Sequence, residues 1–130
     1  MNETMTIREM CEAFEVTPRT LRFYEAKELL FPIRQGTKRL FTRRDRARLK
    51  LILKGKKFGF SLEELRQLLD LYDLNDNQVT QITRARDLAL QHLAEMEEQR
   101  ATLDAAITEL KTEIEWGNKE LAARSVANAA

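Results

Sequence analysis

Arg19 and Arg22 stand three residues apart in the stretch "TPRTLRFYE", beside Phe23 and Tyr24. Guanidinium groups at that spacing share one face of a helix, and rings beside them add an apolar element. The chemistry such a face performs is recognition rather than bond-making. An arginine can donate two hydrogen bonds to one guanine edge, and an apolar ring can meet a thymine methyl. The charge continues downstream: from Arg34 to Lys57 the chain carries eleven lysines and arginines against one acid, Asp45. A dense basic block suits nucleic acid, because neutralising phosphates releases condensed counterions. A solvated helix face is the plainer reading of such a block, and the elements that carry it decide between the two.

Those elements announce themselves through their helix starts. Thr6 followed by Glu9 fits a capping box, and Ile7, Met10, Cys11 and Phe14 then form one apolar stripe. Glu15 and Val16 leave room only for a tight turn. Thr17 can cap a second helix with Pro18 at its first position, where a missing N–H costs nothing. Two short helices joined so closely predict a helix-turn-helix. At about 100° per residue, Arg19, Arg22, Phe23 and Ala26 share one face of the second helix, with Leu21 and Tyr24 roughly opposite. Leu21 and the ring of Tyr24 are therefore expected in the core, and the arginines and Phe23 outside.

Pro32 closes the next segment, and "IRQGTKRLFT" around Gly36 suits a small β-hairpin. Thr42 with Asp45 is a second capping box, opening a helix that should run to about Lys57 with Leu49, Ile52 and Leu53 inward. Gly55 lies inside that helix at a cost of about 1 kcal/mol against alanine, which a close packing contact would explain. Gly59 is placed to end it. Ser61 with Glu64 is a third capping box, followed by Leu62, Leu65, Leu68, Leu69 and Tyr72 along one face.

Asn75-Asp76-Asn77 reads as a domain boundary. Residues 1–74 form the basic part, with 16 lysines and arginines against 11 acids, and residues 75–130 the acidic part, with 6 against 10. Beyond the boundary, Ile82, Ala89, Met96, Leu103 and Leu110 recur every seven residues, and Arg86, Leu93, Arg100, Ile107 and Ile114 follow each by four. As d and a positions these make a coiled-coil seam, and a long helix cannot bury so narrow a stripe alone. A homodimer is the expected remedy. Arg86 and Arg100 weaken a plain hydrophobic zipper and can set register or reach acids such as Glu97 of a second helix. Gly117 and Asn118 are expected to stop the pattern, with a coil over 75–123 and a frayed tail over 124–130.

Several chemistries find no support. The single cysteine, Cys11, excludes an internal disulfide framework and a multi-cysteine metal cluster, and it reads as a buried structural thiol. His92, the one histidine, flanks the seam and is expected in solvent. Trp116 could cap the dimer core or line a small hydrophobic pocket. There is no Gly-rich phosphate loop, no serine–histidine pair with supporting context and no Cys/His cluster, so no enzyme and no cofactor are expected. No apolar run approaches the ~20 residues of a membrane span, and the start lacks a signal-peptide layout, so a cytoplasmic protein is expected.

The stretches "TIREMCEAFEVTPRTLRFYEAKELL", "KRLF" with "TRRDRARLKLI", and "GFSLEELRQLL" resemble the MerR family of bacterial transcription regulators over essentially the whole chain. Within it, "LKLILKGKKFGFSLEEL" followed by "LLDLYD" looks most like the short, cysteine-poor members linked to branched-chain amino-acid and acyl-CoA breakdown. The resemblance implies a mainly α protein with a small β-hairpin wing. It implies a winged helix-turn-helix DNA-binding domain followed by a long antiparallel coiled-coil dimerisation helix. It also implies a homodimer on a promoter operator that distorts DNA so that RNA polymerase can engage. Carried over by residue, the DNA contacts would come from Thr17, Arg19, Arg22, Phe23 and Tyr24, the tyrosine through its hydroxyl on a phosphate. Lys38, Arg39 and Phe41 of the wing, Arg43, and Lys56 and Lys57 complete that set. Phe41 replaces the family's usual tyrosine, which removes a hydroxyl from the wing. Cysteines that metal-sensing members place around the dimer helix are missing here. Any small-molecule effector would have to bind near the helix ends and Trp116. The alternative from another class is a coiled-coil adaptor, or an architectural DNA-binding protein without ligand-responsive regulation.

Overall fold

Three of the helices begin where a threonine or serine reaches back over its own first turn. The computed structural model describes residues 3–71 and 78–129, so the contribution expected of Tyr72 and the boundary at Asn75-Asp76-Asn77 lie outside the described residues. The elements run β1 (Thr4–Thr6), α1 (Ile7–Phe14), α2 (Pro18–Ala26), β2 (Ile33–Gln35), β3 (Lys38–Thr42), α3 (Arg43–Lys57), α4 (Leu62–Asp70) and α5 (Val79–Ala129). Reciprocal capping boxes start α1 at Thr6/Glu9, α3 at Thr42/Asp45 and α4 at Ser61/Glu64. Thr17 caps α2 by accepting from the Thr20 amide at 3.2 Å, with Pro18 in the first turn. Each box satisfies N–H groups that a helix start otherwise leaves unpaired.

The turn between α1 and α2 closes at Glu15, which takes the left-handed conformation at φ 53°. That geometry costs an L-residue on the order of 1 kcal/mol, and it lets α2 leave α1 within three residues. The wing is larger than a hairpin. β3 lies in the middle of a three-stranded antiparallel sheet, paired with β2 on one side and with β1 on the other, Met5 opposite Phe41 and Ile33 opposite Leu40. Gly36, at φ 63°, turns the β2–β3 hairpin.

Met10, Leu21, Tyr24, Phe41, Leu49, Ile52 and Leu65 are the centre of one hydrophobic core that joins α1, α2, β3, α3 and α4. Gly55 is buried where α3 meets α4: a Cβ there would stand 2.4 Å from Leu65 Cδ2 and 3.2 Å from Phe60 Cδ2. Leu65 is itself 1% exposed, so its methyl has little room to retreat. Gly55→Val should therefore lower stability by about 2 kcal/mol, overpacking outweighing the small gain in helix propensity. Denaturant melts of the two proteins, with a shifted midpoint and unchanged slope, check this.

The chain divides into two compact units, Met1–Ala89 and Leu90–Ala130. The first therefore contains the opening turns of α5. Gln81 is 8% exposed and its Nε2 donates to the Leu68 carbonyl at 2.7 Å, while Leu88 is buried. In the second unit α5 continues through Gly117 and Asn118 to Ala129. The tail over 124–130, expected to fray, is instead helical to Ala129. One glycine costs about 1 kcal/mol, and Lys119, Glu120, Leu121, Ala122 and Ala123 are all good helix formers.

Candidate nucleic-acid interface

Pro18 and the Thr17 cap fix the start of α2, and the burial of Leu21 and Tyr24 fixes its rotation. Arg19, Arg22 and Phe23 consequently face solvent. Neither guanidinium has a hydrogen-bonded or ion-paired partner among the described residues. Phe23 is 43% exposed, its ring edge-on to Tyr24 at 5.6 Å between centroids, with Lys27 Nζ 5.6 Å over its face. The wheel expected from sequence is the one observed.

Beside this face lies a cleft of about 200 Å³ lined by Arg19, Thr20, Phe23, Tyr24 and Lys56. Lys56 comes from the last turn of α3, and its Nζ stands 5.9 Å over the Tyr24 ring. Two cations thus meet two rings, which suits an anion flanked by a planar apolar group. Lys38, Arg43 and Lys57 are exposed as well.

Three residues of the expected set behave differently. Phe41 is fully buried and belongs to the core, so it cannot touch a nucleic acid. As the fourth residue of the central strand it alternates inward, onto the core. The Tyr24 hydroxyl is buried with no hydrogen-bond partner among the described residues, closed off from a phosphate in this conformation. An unpaired buried hydroxyl ordinarily costs about 1–3 kcal/mol. Arg39, expected to point at DNA, donates from Nε to Glu25 Oε1 at 2.6 Å.

Glu25 is the residue sequence reasoning missed. It sits at the end of α2, and its other oxygen, Oε2, accepts from Arg34 Nη1 of β2 at 3.0 Å. One carboxylate thereby ties both wing strands to the helix that carries Arg19 and Arg22. Partial burial pushes its pKa up, but the hydrogen bonds and charges of Arg39 and Arg34 outweigh this and hold it below the usual range. A depressed carboxyl contributes stability above its unfolded pKa, near 4.3, and loses it as pH falls through the lower folded value. Glu25→Gln should cost about 1–2 kcal/mol at neutral pH. The gap to the parent should narrow on acidification below about pH 4.3, as thermal melts from pH 7 to 3 would show. A lone acid at the helix end opposite two wing arginines was the available signal.

A second knot holds the segment between α2 and the wing. Asp45, 2% exposed, accepts from the Phe31 amide at 2.9 Å and from the Thr42 amide at 3.0 Å. Arg48, 5% exposed, donates to the Leu29 carbonyl at 2.7 Å with its guanidinium 5.2 Å over the Phe31 ring. Arg66 Nη2 reaches the Lys27 carbonyl at 2.6 Å and anchors the C-terminal end of α2. Within the basic block, Arg34, Arg39, Arg46 and Arg48 are thus engaged with the protein itself.

Cys11 packs at the edge of the core, where burial pushes its thiol up and the Arg22 charge only partly offsets this. His92, expected in solvent, keeps 16% of its side chain exposed and lies 3.6 Å from Glu95. Trp116 is 60% exposed. No group of three or more His, Cys, Asp or Glu side chains among the described residues could hold a metal ion. No described helix is long and apolar enough to cross a membrane.

A basic second helix in a helix-turn-helix, tied to a three-stranded wing, defines a winged-helix DNA-binding class. Residues 5–72 match the family described as MerR HTH family regulatory protein, and residues 46–112 that described as MerR, DNA binding. The chain is 42% identical over 67 residues to the HTH-type transcriptional regulator ZntR of Escherichia coli K12, covering 50% of this chain and 48% of that one. The match therefore spans about half the length of ZntR. It is 33% identical over 112 residues to the HTH-type transcriptional regulator HmrR of Rhizobium leguminosarum bv. viciae, covering 85% and 81% of the two chains. A MerR family transcriptional regulator from Bacillus cereus has a similar crystal structure, at TM-score 0.65 and 27% identity over 85% of this chain and 81% of that one. The chain belongs to the MerR family.

Proposed function

We propose that the protein is a sequence-specific DNA-binding regulator of transcription that acts as a homodimer in the bacterial cytoplasm. The observation that carries this is the exposed Arg19, Arg22 and Phe23 face on the second helix of a helix-turn-helix. In the major groove such a helix presents arginines to guanine edges and a ring to thymine methyls. Thr17, Lys38, Arg43, Lys56 and Lys57 supply phosphate contacts that set register without reading sequence. A phosphate drawn into the Arg19–Lys56 cleft could give the Tyr24 hydroxyl its partner once the cleft opens.

Dimerisation follows from the second unit. Leu93, Met96, Leu103, Ile107, Leu110 and Ile114 are 42–61% exposed in the single chain, all on one seam. The ten seam positions are symmetric about residue 98: 82 pairs with 114, 86 with 110, 89 with 107, 93 with 103 and 96 with 100. Antiparallel pairing about that point keeps every layer and sets each d position against an a position. It also places Arg86 against the partner's Leu110, whereas a parallel pair would stack Arg86 on its own copy.

A two-fold dimer matches a near-palindromic operator, and its spacing lets the protein bend or untwist the promoter between half-sites. Gel shifts with genomic fragments test the reading. Selective, salt-sensitive shifts are expected; shifts without sequence preference would replace it with the architectural or adaptor reading.

A further inference from the structure

In the first compact unit a cavity of about 240 Å³ opens between α3, the last turn of α4 and the start of α5. Three cations of α3 line it, Arg48, Lys50 and Lys54, and among the described residues no acid does. Lys50 and Lys54 stand one turn apart on the same face, where like charges destabilise a helix. Neither has a hydrogen-bonded or ion-paired partner among the described residues. Both are exposed, so a solvated helix face would account for them if they stood alone. The walls around them are not solvated. Arg48 and Gln81 are 5% and 8% exposed, and a backbone carbonyl fixes each. Arg48 Nε donates to Leu29 and Gln81 Nε2 to Leu68, both at 2.7 Å. Leu51 and Leu69 add an apolar floor. At the rim the Gln78 carbonyl accepts from the Ile82 amide at 2.9 Å, so α5 starts at the cavity's edge. Its first turn carries no acid to offset the positive end of the helix dipole.

We infer that this cavity binds a small phosphate monoester on a short apolar body. Charge sets the head group. A phosphomonoester carries about −1.5 to −2 at neutral pH, which the Lys50 and Lys54 ammonium groups balance, with the Arg48 guanidinium fixed in the wall beside them. A carboxylate would balance only one of the two lysines. Size sets the rest of the molecule. The cavity holds about eight water volumes and lies below the range that takes drug-sized ligands. Beside the head group, Leu51 and Leu69 offer room for a chain of a few carbons and not for a nucleotide. The bound molecule would bridge α3 to the opening turn of α5. None of these residues lies on α2 or in the wing, so the site stands apart from the reading of Arg19 and Arg22.

Calorimetric titration of the full chain with butyl phosphate at low salt tests this. One butyl phosphate per chain is expected. It should bind about tenfold more tightly than inorganic phosphate, which lacks the apolar body, and than butyrate, which lacks the second charge. Lys50→Gln combined with Lys54→Gln should weaken butyl phosphate binding about tenfold or more. Arg8→Gln combined with Lys119→Gln removes the same charge from exposed positions elsewhere and should leave that binding unchanged. All four side chains are exposed, so both double variants should keep the parent's melting midpoint. A chain that takes up no butyl phosphate overturns the inference. Equal affinity for inorganic phosphate, or an equal loss in the Arg8/Lys119 control, would show charge attraction without a built site, and the inference would fall. It falls too if the lysine pair proves to be a DNA anchor only. In that case its loss weakens random DNA and flattens the salt dependence while butyl phosphate binding stays the same.

Discussion

Leu93→Asp combined with Leu103→Asp leaves the chain a monomer at micromolar concentration and removes operator binding. The two leucines are 49% and 61% exposed in the single chain, so about half of each awaits burial against a partner. At about 25 cal/mol per Å² that burial is worth roughly 1–2 kcal/mol per side chain, or about 4–8 kcal/mol for the four in a dimer. In the antiparallel register position 93 faces position 103 of the partner, so the aspartates would also confront one another as like charges. The first compact unit, whose core holds neither leucine, should keep its helical signal and its melting transition. Sedimentation equilibrium reads the oligomeric state, and gel shifts read the loss of the second half-site. A variant that still sediments as a dimer would show that the seam is not the interface.

Local signals made much of this fold legible. Capping boxes involve residues three apart, so Thr6/Glu9, Thr42/Asp45 and Ser61/Glu64 could be read directly, and all three form. The rotation of α2 followed from Leu21 and Tyr24 being the side chains that fit a core. What escaped was non-local. β1 is three residues long, and its existence depends on pairing with β3 more than thirty residues away. Without that third strand, Phe41 looked like a wing-tip residue when it is in fact a core one. Glu25 and Arg39, fourteen positions apart, meet only because the wing folds back on α2. Arg48 counted as one more cation of a basic block until its Leu29 partner appeared. In each case charge or hydrophobicity was visible in sequence, but the partner that decides its use was not.

The second large effect belongs to Arg22, whose exposed guanidinium has no partner among the described residues. Removing a bidentate hydrogen-bond pair to a base costs about 1–3 kcal/mol, and a homodimer loses it twice. Arg22→Ala should thus weaken operator binding by about 2–6 kcal/mol, roughly thirtyfold to more than ten-thousandfold. Folding should be unaffected, because the side chain points away from the core. The loss should fall on the operator far more than on random DNA, which is held by phosphates. Lys57→Ala is the informative contrast. With one phosphate anchor fewer on each protomer, operator and random DNA should be weakened alike, and the logarithmic salt dependence should become shallower by about two. Titrating both variants against both DNAs across a salt series separates a base reader from a phosphate anchor. Unchanged operator affinity in a folded Arg22→Ala dimer would remove Arg22 from the recognition surface. A loss shared equally by random DNA, with a shallower salt slope, would make it an anchor and leave base reading to Arg19 and Phe23.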